Sequence, residues 1–181
     1  DTFSQPPVAT VVMCQARSND GQHVSDWAEA SVEIQNQSPV VTAVTITPSS
    51  NVVANELLTC SFVAEDADDE PLSYQYVWTN GAGDVVSTSG LFQLDPSSNI
   101  PGETFTCTVT AEDPHGSTHE AQESITLINS QPYFTTPAQL STGQEMVSYG
   151  EELLCIAEAY DLDDGVLDVS FHWEDADGAI I

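Results

Sequence analysis

The sequence contains no lysine, and Arg17 is its only arginine, set against 29 carboxylates in 181 residues. A formal net charge of −28 repels phosphate backbones and anionic lipid, which excludes nucleic acid and charged membrane surfaces as partners. Without lysine, Lys–Asn isopeptide cross-links are impossible. The acids cannot pair off with one guanidinium, so their charge has to be solvated, screened by salt or neutralised by bound divalent cations. No run of about 18 apolar residues is present, and no membrane-spanning helix is expected. The four cysteines, Cys14, Cys60, Cys107 and Cys155, fit neither CxxC metal spacing nor a dense disulfide scaffold. Position 1 is neither an initiator Met nor the start of a signal peptide, so a processed or excerpted chain is expected. The chain does have 40% hydrophobic residues, too many for a disordered acidic tail.

Those residues recur with a long period. CSFVAEDADDEPLSYQYVW at 60–78 returns as CIAEAYDLDDGVLDVSFHW at 155–173, with 95 residues between Cys60 and Cys155, Asp66 and Asp161, and Trp78 and Trp173. SVEIQNQSP at 31–39 returns as SITLINSQP at 124–132. Here 93 residues separate Asn36 from Asn129 and Pro39 from Pro132, as they separate Cys14 from Cys107. A period of this size is too long for a solenoid unit and suits an array of small domains. The expected organisation is one complete repeat at 38–130, preceded by the C-terminal half of another at 1–37 and followed by the N-terminal half of a third at 131–181.

Within the repeat the hydrophobic period is 2. Leu58, Cys60, Phe62 and Ala64 fall on one strand face, Leu72, Tyr74, Tyr76 and Trp78 on a second, and Phe105, Cys107, Val109 and Ala111 on a third. Ile125 and Leu127 follow on a fourth strand, and Leu167, Val169, Phe171 and Trp173 reproduce the second face in the last repeat. Turn residues (NGAGD, DPSSNIPG, DPHG) separate the runs, and no stretch has a helical period. The expectation is an all-β chain of antiparallel sandwiches.

The order Cys60, Trp78, Cys107 resembles the immunoglobulin fold, in which two cysteines bridge the sheets and a tryptophan packs on the bridge. LLTCSFVAEDADDEPLSYQYVW and GETFTCTVTAEDPHG resemble the tandem Ig-like, PKD-like and cadherin-like repeats of large bacterial surface proteins. The tyrosine that immunoglobulins carry two residues before the second cysteine is Phe105 or Val12 here. The resemblance implies a Cys60–Cys107 bridge and an oxidising, extracellular location at a bacterial cell surface; a pair of free buried thiols is the alternative. Completed head to tail between subunits, the two half repeats would set Cys155 of one against Cys14 of the next; the alternative is that the 181 residues are a window on one longer chain with continuous connectivity.

The same resemblance puts the acidic loops at one pole. Asp66, Asp68, Asp69 and Glu70 lie on the loop after the first strand face, Glu112 and Asp113 on the loop after the third, and Asn36 on the incoming linker. The last repeat keeps Asp161, Asp163 and Asp164, with Asn129 on its linker. Hard oxygen ligands from three segments suit Ca²⁺, in the manner of cadherin joints. The competing reading is a set of solvated acidic loops. An EF-hand is excluded by spacing.

No catalytic constellation stands out, so no enzyme is expected. His115 and His119 sit in a Pro/Gly-containing loop, Asp175 and Asp177 in a turn, and no GxSxG motif occurs. Arg17 is expected on a paired strand, out of reach of trypsin. The expected function is a structural subunit of an extracellular fibre, stalk or surface layer, with identical subunits or neighbouring Ig-like repeats as head-to-tail partners. A rigid spacer or adhesive segment of a bacterial adhesin is the alternative.

Overall fold

A computed structural model describes residues 6–140 and 146–181. Among the described residues it is all-β, without a helix. The strands are β1 (Val11–Ala16), β2 (Ala28–Glu33), β3 (Val40–Thr47), β4 (Leu57–Glu65), β5 (Ser73–Thr79) and β6 (Val85–Ser87). They continue with β7 (Leu91–Gln93), β8 (Thr104–Glu112), β9 (Thr118–Thr126), β10 (Tyr133–Leu140), β11 (Cys155–Asp161) and β12 (Gly165–Leu167). In the middle of the chain β3-β4-β7 form one sheet and β6-β5-β8-β9 another, the strand arrangement of an Ig-like sandwich. By compactness the chain divides into two units. One comprises Asp1–Val44, Ser61–Tyr76 and Thr108–Gln122; the other comprises Thr45–Cys60, Val77–Cys107 and Glu123–Ile181.

Strand β8 shows most directly how the sequence builds the fold. TFTCTVTAE alternates strictly, so Phe105, Cys107, Val109 and Ala111 are all fully buried while the threonines between them are partly exposed. On the outer face Thr104 meets Thr126 at 2.8 Å and Thr106 meets Ser124 at 2.9 Å, hydroxyl to hydroxyl across β8 and β9. In the second unit the core gathers round Trp78, whose indole N–H donates to the Ser89 carbonyl at 3.0 Å. Phe92 packs between Trp78 and Phe105, with ring centroids 5.7 and 5.2 Å away. A Cys60–Cys107 disulfide ties β4 to β8 and so joins the two sheets.

The flanking segments form smaller sheets. In the first unit β1 and β2 make a two-stranded antiparallel ribbon, with Cys14 opposite Ala30 and Val12 opposite Val32. Displaced by 93 residues, its register coincides with that of β8 and β9: Val11 pairs Glu33 where Thr104 meets Thr126, and Met13 pairs Ser31 where Thr106 meets Ser124. Even the entry repeats. Ala9 donates to the Ile34 carbonyl and takes φ +60°, at the position where Gly102 donates to the Leu127 carbonyl with φ +89°. Glycine adopts that backbone freely; alanine does so under strain. In the second unit β10-β11-β12 form a three-stranded sheet, and the turn after it copies an earlier one. Asp175 accepts from the amides of Asp177 and Ala179 as Asn80 accepts from those of Ala82 and Asp84.

Three local expectations are corrected. Leu72 lies just before β5 rather than on it. The strand expected over 167–173 is reduced to Gly165–Leu167, which pairs with β11 as a hairpin. In the middle of the chain the matching strand β5 is held between β6 and β8, whereas 168–172 forms no strand. Arg17 lies one residue beyond β1, exposed, with its guanidinium 4.7 Å from the centroid of Trp27.

The disulfide closes a 47-residue separation, which on loop-entropy grounds stabilises the sandwich by about 4 kcal/mol. Denaturant unfolding of Cys60→Ala/Cys107→Ala against the parent protein is expected to show a loss of that order. A loss below about 1 kcal/mol would show that the bridge adds little to the fold.

Candidate metal centre at the acidic loops

The loop after β4 starts with a turn of its own making. Asp66 Oδ1 accepts the Asp68 amide at 2.7 Å, while the Asp66 carbonyl accepts the Asp69 amide at 3.2 Å. Asp69 takes φ +58°, a conformation that Asp and Asn tolerate better than most residues. The turn therefore leaves Asp69 exposed and draws Asp66, Asp68 and Glu70 inward. Each of the three brings a carboxylate oxygen within 4.8 Å of the others, the one such acidic group among the described residues. Like charges at this spacing repel by roughly 3 kcal/mol per pair near a protein surface before salt screening.

The linker before β3 closes on this loop. The Gln37 amide donates to Asp68 Oδ2 at 2.6 Å, and Asn36 Nδ2 donates to Asp113 Oδ2 at 2.8 Å and to Ser117 Oγ at 2.9 Å. Asp113 is buried, and its Oδ1 accepts the amides of His115 and Ser117. The Asn36 side chain first, and these amides, hold its carboxyl below the usual carboxylate range against the opposing effect of burial. His115 Nε2 lies 3.0 Å from Glu70 Oε1. Three acceptor oxygens are then left buried and without a hydrogen-bond partner: Asn36 Oδ1, Asp66 Oδ2 and Glu70 Oε2.

The last repeat builds the same contact. Asp161 Oδ1 accepts the Asp163 amide at 2.8 Å, and the Ser130 amide donates to Asp163 Oδ2 at 2.5 Å, matching Gln37 and Asp68. Ser130 Oγ adds a bond to Asp161 at 2.8 Å. The Asp163 amide, and after it the Ser130 hydroxyl, lower the carboxyl pKa of buried Asp161. Asp163 Oδ1 is buried without a partner. Asn129 Nδ2 turns to the Ser130 carbonyl, and Asp164 is exposed.

Of the residues singled out in the sequence, Asp66 and Asp68 converge, Asn36 and Asp113 bond to each other, and Asp69 and Glu112 stand outside the three-carboxylate group. Glu112 follows the inward Ala111 on β8 and so occupies the outward position of the alternation. Glu70, named in the sequence beside the three aspartates of this loop, is the third member of the group. Its signal was its place, two residues beyond Asp68. In the last repeat Gly165 stands in its stead, so that loop has two inward carboxylates rather than three. Cys14 and Cys155 are free thiols, the first exposed and the second partly covered.

The sequence profile of the bacterial Ig domain matches residues 36–126, from the linker asparagine to the end of β9. The chain belongs to the bacterial Ig domain family. Bacterial Ig domains are typically non-catalytic and typically occur in surface or extracellular proteins. No curated protein and no solved structure matches the chain. Every residue of the acidic group, with Asn36, Gln37 and Asp113, lies inside the bacterial Ig domain match.

A pH prediction follows from Asp113. Its folded-state pKa lies below 3.8, so its contribution to stability is complete above that value and is lost as pH falls through the folded pKa. Asn36→Ala removes the largest cause of the shift and is expected to move that loss to higher pH. Urea unfolding of both proteins between pH 6 and 2 reads the difference, since the remaining carboxylates affect both alike. Superimposable pH profiles would contradict the role of Asn36.

Proposed function

We propose that this chain is a structural segment of an extracellular fibre, stalk or surface layer, made of tandem Ig-like domains whose joints are stiffened by Ca²⁺. In this reading 38–130 is the complete domain, 1–37 the end of one repeat and 131–181 the start of another. The observation that carries it is the repeated clamp between linker and acidic loop, Gln37 N–H to Asp68 and Ser130 N–H to Asp163. A loop that served only solubility would have no reason to grip the linker twice in the same way.

The orphaned oxygens support the metal. Asn36 Oδ1, Asp66 Oδ2 and Glu70 Oε2 are buried acceptors with no donor, and an amide oxygen with carboxylates is a hard donor set of the kind Ca²⁺ takes. Asp66, Asp68 and Glu70, with Asn36 beside them, would hold the ion. Asp113 positions Asn36 by occupying its amide nitrogen, which leaves the amide oxygen free to ligate. When bound, Ca²⁺ supplies the positive charge that a chain with one arginine lacks. In the last repeat Asp161 and Asp163 with the linker residue Asn129 are the counterparts, without a match for Glu70.

Calcium at a hundredfold excess over its dissociation constant is expected to stabilise the chain by about 2.7 kcal/mol. Calorimetric melting in Ca²⁺ and in EDTA reads this directly, and Asp66→Asn/Glu70→Gln should abolish the difference. Identical melting curves in Ca²⁺ and EDTA would refute the metal-stiffened joint.

A further inference from the structure

Val41 is 5% exposed, and its backbone N–H donates to Nδ1 of the His119 ring, 3.1 Å away. The two residues belong to edge strands of different sheets, β3 at one end of β3-β4-β7 and β9 at one end of β6-β5-β8-β9. Sequence pattern suggests a loop for His119; the fold puts it on β9, one residue in from the start. Ser124 and Thr126 meet β8 hydroxyls on the outer face, so alternation turns the odd positions, His119 among them, to the inner side. There the ring gives the β3 amide an acceptor that a sheet edge does not supply. A peptide N–H can only donate. Nδ1 is therefore the unprotonated nitrogen, and the ring is neutral with its proton on Nε2. A proton added at Nδ1 makes it a second donor, aimed at a buried amide that is left without a partner.

We infer that His119 is a pH-sensitive latch: its neutral ring ties the entry strand β3 to β9, and protonation releases that strand. The inference goes beyond the calcium reading and does not rest on it. Histidine is the side chain whose charge ordinarily changes in the range of about pH 5 to 8, and His119 is exposed, so solvent protons reach it. The charged groups around it do not make this bond. β3 and the linker residues 36–39 have no titratable side chain. On β8 Glu112 takes the outward position, and Asp113 beyond it is occupied by Asn36 and two amides. Glu65 ends β4, and Glu120 and Glu123 lie on β9 itself. Carboxyl side chains ordinarily ionise near pH 4, about two units below imidazole, so mild acid reaches the ring first. His115, on the loop between β8 and β9, lies against Glu70 rather than β3. Only the neutral His119 ring accepts the Val41 amide, so the bond is complete above the ring's titration and is lost as pH falls through it. Val41 follows Pro39 by two residues, so the release acts where the chain enters the domain.

The test is run in EDTA, so that failure of the calcium reading leaves it untouched. Long-range proton–nitrogen NMR correlation of the His119 ring should place the proton on Nε2 at about pH 8. Amide exchange of Val41, corrected for the intrinsic pH dependence of exchange, should lose protection by about tenfold or more between about pH 8 and 5. The midpoint should coincide with the titration of the His119 ring in the same spectra, and not with that of His115. The Gly102 amide, which donates to the Leu127 carbonyl, should keep its protection throughout. His119→Asn sets a neutral amide oxygen near the place of Nδ1 and cannot titrate, so Val41 protection in it should not vary with pH over this range. A ring proton on Nδ1 at the upper end of the range, or Val41 protection that does not change in the parent protein, would overturn the inference. So would an equal loss at Gly102, or an unchanged midpoint in His119→Asn.

Discussion

A buried carboxylate needs a donor, and this chain has almost no cationic ones to give. Twenty-nine acids share a single guanidinium, and that guanidinium lies over Trp27. The acids that leave solvent are held by backbone amides and uncharged side chains instead. Asp113 takes two amides and an asparagine; Asp161 takes an amide and a serine hydroxyl. Bonds to an ionised acceptor are stronger than neutral ones, which lets short polar loops stay ordered without ion pairs. A structure built this way runs out of donors before it runs out of acceptors. Unpartnered oxygens on Asn36, Asp66, Glu70 and Asp163 are what remains.

The same constraint accounts for where the linkers lie. An amide on the linker is the nearest spare donor for the second aspartate of each acidic loop, and both linkers supply one. The loop thus fixes the chain entering its own domain. In the reading proposed above, a divalent cation among the leftover oxygens would reinforce that link. The bacterial Ig domain match spans this loop and its linker together.

Much of this was legible in the sequence, and the exceptions have physical causes. TFTCTVTAE could be read as a buried strand from its alternation alone, and the Cys60–Trp78–Cys107 order places the bridge and its tryptophan. The separations of 93 and 95 residues marked elements that share register, turn and capping bonds. The membership of the acidic group was not legible. Asp66, Asp68, Asp69 and Glu70 are four equal candidates in the sequence until the turn at Asp69 leaves that residue outside and brings the other three together. Nor could pattern predict that 168–172 would form no strand, because alternation records a face and not the neighbour needed to pair with it.

The amide protons of Gln37 and Ser130 test the clamp directly, by hydrogen exchange resolved residue by residue in an NMR spectrum. Both should exchange far more slowly than a free loop amide, although Gln37 is exposed, and each should lose that protection when its own acceptor is removed by Asp68→Ala or Asp163→Ala. Exchange of both amides at free-chain rates in the parent protein would contradict the account.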